Sequence, residues 1–583
     1  MGYMRYHVAA IQFEPQLGRV EENVARILAL CEEAARRGCR LLVLPEMATS
    51  GYCFYSRKEL APFVEPIPGP STERLGRLAA QHGCYIVIGL PEVDLESSIF
   101  YNSAALIGPR GLVGKMRKVH LYVADTPYAA EGNLGFPVWP TEIGRIAVQV
   151  CMDASYPEAT RVAALQGADV VCLPTNDMGQ RAPTTDWLTR AFESGVYFVA
   201  ANRYGLERGV QFIGGSCVLG PDGEMLAVRD GGDGIVEAEV DLVRTRERRF
   251  AWDAGGDKLR ERRPQWYGDL ALSPLLWPMR EARDIYNHRP LPAGGRCGVA
   301  VVQTAGAPDR PAQAREWAEN LVCTAVAEAD ATIDLVVLPE LALVSDPRRA
   351  DECAEPLPGP TSEWAATLAR KLGLHLALGL PERATDRLYN SAALIGPEGV
   401  VGVYRKLHLG PFDRPWAAPG DAGLRVWDLP MARVGLLIGH DAMFPEASRC
   451  LAVQGADLIC APSAVRGPLP RDVPDTEIPL PAEVQQTPCA AYWHLWRVRA
   501  GENNSYLAFA NRSDHGCMGW SGIFGPDLYC FPREERVIAG PAEGAAGLVI
   551  DSGDYPLPNQ PNLARFKELI RMRRPQFYEA LLT

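Results

Sequence analysis

Short apolar runs alternate with amphipathic stretches along the first half of the chain. Residues 7–13, 40–44, 84–90, 146–151 and 169–173 are short and nearly continuous in apolar side chains, the pattern of strands buried on both faces. Between them, residues 21–37, 71–81 and 157–166 carry apolar positions three and four apart, which predicts helices with one buried face. Further on, residues 216–220, 225–228 and 234–240 are separated by turn residues and predict an antiparallel meander. Gly108-Pro109-Arg110-Gly111 and Gly220-Pro221-Asp222-Gly223 fit hairpin turns of the same domain. Strands interleaved with helices predict an α/β domain in which helices cover a mixed sheet.

The whole pattern then returns. Val8-Ala9-Ala10-Ile11-Gln12 answers to Val299-Ala300-Val301-Val302-Gln303, and Leu44-Pro45-Glu46 to Leu338-Pro339-Glu340. Gly89-Leu90-Pro91-Glu92 meets Gly379-Leu380-Pro381-Glu382, and Tyr101-Asn102-Ser103 meets Tyr389-Asn390-Ser391. Arg117-Lys118-Val119-His120-Leu121 returns as Arg405-Lys406-Leu407-His408-Leu409, and Ala201-Asn202-Arg203 as Ala510-Asn511-Arg512. A repeat this long overrides any domain count based on length and predicts two large domains, residues 1–271 and 297–583, joined by a Pro- and Gly-containing linker at 272–296. The offset between copies widens from 288 at Cys151/Gly439 to 309 at Asn202/Asn511, so the second copy carries an extra loop, placed in the proline-rich stretch 467–488.

Charge and cysteine usage narrow the partners. Lys plus Arg number 59 against 71 Asp plus Glu, a net charge of −12, which argues against nucleic acid or an anionic membrane. The start lacks a basic flank followed by a long apolar region, no run reaches transmembrane length, and Tyr6 breaks the lipidation motif that Gly2 would begin. The 15 cysteines are odd in number and form no C-x-x-C pair, so disulfides and structural zinc are not expected and a reducing cytoplasm is.

Three polar residues of the first copy close apolar stretches: Glu46 after Leu44-Pro45, Lys118 after Met116-Arg117, and Cys151 after Val148-Gln149-Val150. Ligand sites of sheet proteins gather at strand ends. A thiol there is a candidate nucleophile, against the commoner fate of a buried cysteine as core; Cys172 and Cys460, inside apolar runs, are read as core. In the ordered set Leu-Pro-Glu46, Lys118-x-His-Leu and Cys151-x-Asp-x-x-x-Pro-Glu, repeated across both copies, the chain resembles the nitrilase, or carbon–nitrogen hydrolase, superfamily. That resemblance implies a four-layer α-β-β-α sandwich in each copy, pairing of the copies as an intrachain pseudo-dimer with further homo-oligomers open, and a Glu-Lys-Cys triad.

The chemistry explains the residue types. A free thiol has a pKa of about 8.5 and needs a neighbouring base or cation to attack at neutral pH. Glu46 would be the general base and acid, and Lys118 would hold the oxyanion together with the Met152 backbone N–H. Asp125 takes the place of a supporting carboxylate, and Tyr52 and Asn176 resemble positions that line family pockets, loop packing being the equal alternative. His120 and His408 are read as packing or hydrogen-bonding residues. No metal or organic cofactor is needed. In the second copy Gly439 stands where the thiol should be, so that copy is expected to be catalytically dead.

Met152-Asp153 after the cysteine is closer to amidase and carbamoylase branches than to the Trp-Glu of nitrilases. The expected function is therefore hydrolysis of linear amides or carbamoyl compounds through a cysteine acyl-enzyme. A nitrilase reaction and a largely non-catalytic binding or scaffold role are the alternatives. The partner in either enzymatic case is a small-molecule amide, carbamoyl or nitrile substrate.

Overall fold

The computed structural model of the chain describes residues 4–178, 182–250, 256–272, 291–466, 490–529, 533–538, 540–553 and 562–583. Two compact units divide them. The first holds the described residues up to Arg249 together with Arg574–Leu581; the second holds those from Phe250 to Arg573 with Leu582–Thr583.

The first unit contains β1 (Arg5–Gln12), α1 (Val20–Arg36), β2 (Cys39–Val43), α2 (Arg57–Leu60), α3 (Pro70–His82), β3 (Tyr85–Val93), β4 (Phe100–Gly108), β5 (Gly111–Arg117), β6 (Val138–Thr141), β7 (Gly144–Val148), α4 (Pro157–Leu165), β8 (Val170–Thr175), α5 (Thr185–Ser194), β9 (Tyr197–Asn202), β10 (Tyr204–Glu207), β11 (Val210–Ile213), β12 (Ser216–Leu219), β13 (Met225–Arg229), β14 (Gly234–Asp241) and α6 (Leu242–Arg246). They form two six-stranded sheets, in the orders β14-β1-β2-β3-β4-β5 and β13-β12-β9-β8-β7-β6. β1 packs on β9 and β12, and β3 on β8, so the sheets lie face to face. Strands in that position are apolar on both faces, which is why β3 and β4 read as continuous runs rather than as alternation.

Helices close the outside of each sheet. α1 turns Ile27, Cys31 and Ala34, and α3 turns Leu75, Leu78 and Ala79, into one core with Ile11, Leu42, Ile86 and Ile88. Burying a residue such as Ile27 is worth about 1.5–3 kcal/mol, so these stripes fix which face of each helix meets the sheet. α4 and α5 pair with each other, α5 lying on β9. The α-β-β-α layering is thus complete within the unit.

The second unit repeats the plan with β15 (Arg296–Gln303), α7 (Pro311–Ala327), β16 (Leu335–Val337), α8 (Pro360–Leu372), β17 (His375–Arg383), β18 (Leu388–Gly396), β19 (Gly399–Arg405), β20 (Val426–Asp428), β21 (Arg433–Leu436), α9 (Pro445–Val453), β22 (Leu458–Ser463), α10 (Ala490–Gly501), β23 (Tyr506–Asn511), β24 (Gly522–Phe524), β25 (Glu535–Val537) and β26 (Gly544–Asp551). Its sheet orders, β19-β18-β17-β16-β15-β26 and β20-β21-β22-β23-β24-β25, match those of the first unit strand for strand.

Two details differ from the sequence pattern. The run 146–151 ends as a strand at Val148, and Cys151 opens a single-turn 3-10 helix, Cys151–Ser155. The Asp153 carboxylate causes the break by accepting the Val150 N–H at 3.1 Å. Arg248 donates to the carbonyls of Thr245, Ala164 and Ala168, satisfying the carboxyl end of α4. Residues 250–272, counted with the first copy by sequence, belong by contacts to the second unit, where Arg262 pairs with Glu446 at 2.7 Å and the Tyr267 hydroxyl meets His408 Nε2 at 2.7 Å. Residues 574–581 likewise belong to the first unit, where the Tyr578 hydroxyl lies 3.0 Å from His120 Nε2. The expected extra loop at 467–488 and most of the linker at 272–296 lie outside the described residues.

Candidate active site

Parallel strands bring the candidate residues together. β2 pairs in parallel with β3, and β7 with β8, so the carboxyl ends of both sheets open on the same side of their strands. Glu46 follows β2, Lys118 follows β5, Cys151 follows β7, and Asn176 follows β8. Two glycines permit the crowding. A Cβ at Gly89 would lie 2.5 Å from Glu46 Cα, and one at Gly132 would lie 2.0 Å from the Arg117 carbonyl oxygen, so no larger residue fits beside either strand end.

Lys118 is wholly buried between two carboxylates. Its Nζ is 2.7 Å from Glu46 Oε1 and 2.8 Å from Asp125 Oδ2. Asn102, which the sequence marks only as part of a repeated triplet, donates its amide to Glu46 Oε1 at 2.7 Å and Asp125 Oδ1 at 3.1 Å. The Tyr122 N–H and Tyr128 hydroxyl also donate to Asp125, at 2.9 and 3.2 Å. Asp125 therefore reaches the lysine while remaining the anchor of its own turn. Two buried carboxylates against one ammonium would be costly without this web, because each ion loses several kcal/mol of hydration.

Burial pushes Glu46 above the usual carboxylate range, with Lys118 opposing and Asp125 adding to the shift. For Lys118, burial alone would lower the pKa; Asp125, Cys151 and Glu46 overcome it and hold the ammonium well above its ordinary value. Cys151 is within electrostatic range of both Glu46 and Lys118 and is hydrogen-bonded to the Thr175 side chain and the Asn176 backbone. Burial first, then Glu46, pushes its thiol upward against these stabilising partners. Burial thus favours the protonated thiol, and Glu46 Oε2 is buried with no hydrogen-bond partner among the described residues.

Cys151 sits at φ +47°, a left-handed conformation that costs a non-glycine residue on the order of 1–3 kcal/mol. Asp153 holds this turn in place. Its Oδ1 accepts the His120 backbone N–H at 2.9 Å and lies 2.8 Å from His120 Nδ1, tying the Cys151 turn to the segment after Lys118. His120 stacks on Tyr156, centroids 3.6 Å apart. This brace explains the spacing of Lys-x-His and Cys-x-Asp.

Tyr52 is 2% exposed, its ring edge-on to Tyr128 and Phe212. Glu207, from the β10–β11 ribbon, fixes that loop: its Oε1 accepts the Tyr52 and Cys53 N–H groups at 2.9 and 2.6 Å, and Arg203 holds its Oε2 at 2.8 Å. Sequence reasoning missed Glu207, since the ribbon carries no apolar run and its partner lies far away in the chain. Charge-assisted hydrogen bonds of this kind are worth about 1.5–3 kcal/mol. Glu207→Ala is therefore expected to raise KM about tenfold while changing kcat less, as steady-state kinetics will show; equal losses in both would place Glu207 nearer the chemistry. Asn176 is 2% exposed, and neither its Oδ1 nor its Nδ2 has a hydrogen-bond partner among the described residues.

The second unit keeps the same web around a missing side chain. Lys406 Nζ lies 2.6 Å from both Glu340 Oε1 and Asp413 Oδ2, and Asn390 bridges the two carboxylates at 2.6 and 2.5 Å. Gly439 has φ +38°, the conformation of Cys151 without its strain. Glu340 Oε2 has turned to accept the Ala464 N–H at 2.9 Å, and a Cβ on Gly439 would lie only 2.7 Å from that oxygen. A side chain returned at this position would first have to displace that carboxylate oxygen.

The carbon–nitrogen hydrolase family model matches the chain twice, over residues 7–250 and 298–541, and the chain belongs to that family as two tandem copies. It is similar to a nitrilase of Pyrococcus abyssi, 37% identical over 262 residues, which cover 45% of this chain and 98% of the relative. An N-carbamoylputrescine amidase of Solanum lycopersicum is 31% identical over 287 residues, covering 45% of this chain and 93% of the relative. Among solved structures, an amidase from Nesterenkonia sp. aligns at 25% identity and a TM-score of 0.38, over 45% of this chain and 94% of that one. Among the described residues no helix is long and apolar enough to cross a membrane, and no cluster of His, Cys, Asp and Glu is arranged to hold a metal ion.

Proposed function

We propose that the first copy hydrolyses linear amide or carbamoyl C–N bonds through a thioester on Cys151, and that the second copy does no chemistry. The observation that carries this reading is the Cys151 thiol within electrostatic range of a buried ammonium–carboxylate pair whose second carboxylate oxygen has no hydrogen-bond partner among the described residues. Cys151 Sγ attacks the carbonyl carbon as Glu46 takes the thiol proton, and the oxyanion that forms is held by Lys118 and the Met152 N–H at the start of the 3-10 turn. Collapse breaks the C–N bond, and Glu46 returns the proton to the departing nitrogen, which leaves as ammonia or amine. Water then attacks the thioester with Glu46 again accepting a proton; the acid departs and the thiol is restored. Asp125 and Asn102 position Lys118 and Glu46, and the side-chain amide of Asn176 and the ring of Tyr52 contact the substrate. A nitrile would first give a thioimidate, its nitrogen taking the thiol proton; a water added to that carbon gives the tetrahedral adduct, which loses ammonia to leave the same thioester, and a second water hydrolyses it.

A panel of aliphatic amides, carbamoyl compounds and nitriles, with ammonia and carbon dioxide measured separately, tests the assignment. Turnover of amides or carbamoyl compounds supports it; turnover of nitriles alone replaces it with the nitrilase reaction; no turnover in any series supports the binding role.

The charge states also fix the pH dependence. Activity needs Glu46 ionised, and burial has raised its pKa, so kcat/KM falls as pH drops through a value above the ordinary glutamate pKa of about 4.3. The thiol is pushed up from its ordinary value, so no rise is expected through pH 8–9, where a free cysteine of pKa about 8.5 would ionise. A pH–rate profile that climbs over that interval would mean attack by a preformed thiolate.

A further inference from the structure

Near its end the chain carries Arg574-Pro575-Gln576-Phe577-Tyr578, which answers to Arg263-Pro264-Gln265-Trp266-Tyr267. This closing arm belongs to the first unit. Arg574 Nε donates to Glu131 Oε2 at 3.0 Å, and Phe577 packs edge-on against Phe136, centroids 6.4 Å apart. So anchored, the arm sets the Tyr578 hydroxyl 3.0 Å from His120 Nε2.

Donors and acceptors fix where the hydrogens lie. The Asp153 carboxylate accepts the backbone N–H groups of His120 and Val150 and lies 2.8 Å from His120 Nδ1, so Nδ1 carries a proton. Burial holds the imidazole pKa below its ordinary value, which leaves Nε2 an acceptor. The Tyr578 oxygen accepts the Arg574 N–H at 3.1 Å, and its own O–H donates to Nε2. The bonds therefore run one way, from Arg574 through Tyr578 and His120 to Asp153, whose other oxygen holds the Val150 N–H beside Cys151.

We propose that Tyr578 is a positioning residue for the first copy's reaction: its hydroxyl selects the His120 tautomer that keeps Asp153, and with it the Cys151–Met152 turn, in reacting geometry. The inference rests on the proposed hydrolysis, because that turn carries both the thiol and the Met152 N–H. Which histidine nitrogen bears the proton is set by the hydrogen bond the other one makes. Without the hydroxyl the proton can move to Nε2, and a bare Nδ1 then faces the Asp153 carboxylate. The turn loosens at a residue already held at φ +47°. The last residues of the chain are in this way a working part of its first copy.

The second unit supplies the control. The Tyr267 hydroxyl lies 2.7 Å from His408 Nε2 and accepts the Arg263 N–H at 3.1 Å, while His408 Nδ1 lies 2.7 Å from Asp441 Oδ1. The turn behind this line opens on Gly439, which has no thiol to place. Tyr267→Phe therefore removes an equivalent buried hydroxyl with no reacting turn behind it.

The test compares Tyr578→Phe with Tyr267→Phe in the full chain, by steady-state kinetics on the best substrate of the amide and carbamoyl panel. Tyr578→Phe is expected to lower kcat about tenfold and to leave KM within about twofold, a smaller loss than the roughly 10²-fold that a 1 Å misplacement can cost. Tyr267→Phe is expected to change neither. A second readout does not depend on turnover: nitrogen NMR of protein labelled at its histidine rings, with His120 identified by the signals that His120→Gln removes. The unmodified protein should show His120 protonated at Nδ1, and Tyr578→Phe should move part of that population to Nε2. Hydrolysis by the unmodified protein with kcat unmoved by Tyr578→Phe, or lowered equally by both variants, overturns this inference alone. So does a His120 proton on Nε2 in the unmodified protein. No turnover of any substrate by the unmodified protein sinks the proposed reaction, and this inference with it.

Discussion

Cys151→Ala lowers turnover by about 10⁴-fold or more, to the background of the uncatalysed reaction plus whatever oxyanion stabilisation and binding remain. The size of the loss follows from the absence of a second nucleophile. Gly439 occupies the matching place in the other copy, and Glu340 has moved into the space a thiol there would need. His440, one residue further along the turn, is a buried imidazole whose pKa is pushed down to about 3. The substitution removes two contacts, from Thr175 and the Asn176 backbone, while leaving the Glu46–Lys118–Asp125 web intact, so the variant folds and its loss reports on chemistry. Residual turnover within tenfold of the unmodified protein would mean that the second copy, or another group, does the work. Rate measurement with the best substrate of the panel decides it.

Lys118→Met produces two losses of different origin. Removing an oxyanion donor costs about 10²–10³ in kcat. The same change leaves Glu46 and Asp125 buried without their cation, and breaking a buried ion pair from one side costs about 3–5 kcal/mol of stability. One carboxylate then takes up a proton, and with Glu46 neutral the base is lost as well, so the fall in kcat exceeds what an oxyanion donor alone accounts for. Thermal unfolding should show the destabilisation most strongly at high pH and least at low pH, where both carboxylates are protonated. A Lys118→Met protein as stable as its parent at all pH values would contradict the buried web.

Much of this site was legible in the sequence because its parts lie at the ends of apolar runs. Glu46 and Cys151 follow apolar runs and Lys118 follows the mixed run Gly114-Lys115-Met116-Arg117; each motif alone is weak, and the ordered set, returning in the second copy without the thiol, is specific. Asp125 came from the family resemblance alone; in the structure its Oδ2 lies 2.8 Å from Lys118 Nζ. Asn102 was not legible, because a single asparagine inside the buried β4 has no periodicity to betray it; its role appears only when β4 is laid against the loop that carries Glu46. Glu207 was hidden for a related reason, since its partners Tyr52 and Cys53 come from a distant loop and no local pattern links them.

The strand expected through Cys151 shows the limit of hydrophobic runs. Val148-Gln149-Val150 continues the apolar pattern, yet the backbone turns as Asp153 captures the Val150 N–H. A hydrogen bond from three residues ahead outweighs strand propensity, and the turn it makes lifts the thiol out of the sheet. The arms at 250–272 and 574–581 were assigned to the wrong compact unit because their short 3-10 turns and polar contacts carry no signal of which core they join.

The most direct test of the central claim is the mass of a trapped intermediate. A slowly deacylated amide, mixed with the protein and quenched in acid, should add one acyl group per chain, and peptide mapping should place it on Cys151 alone among the 15 cysteines. An adduct in the second copy, on another residue of the first, or none at all while hydrolysis proceeds, would contradict the account.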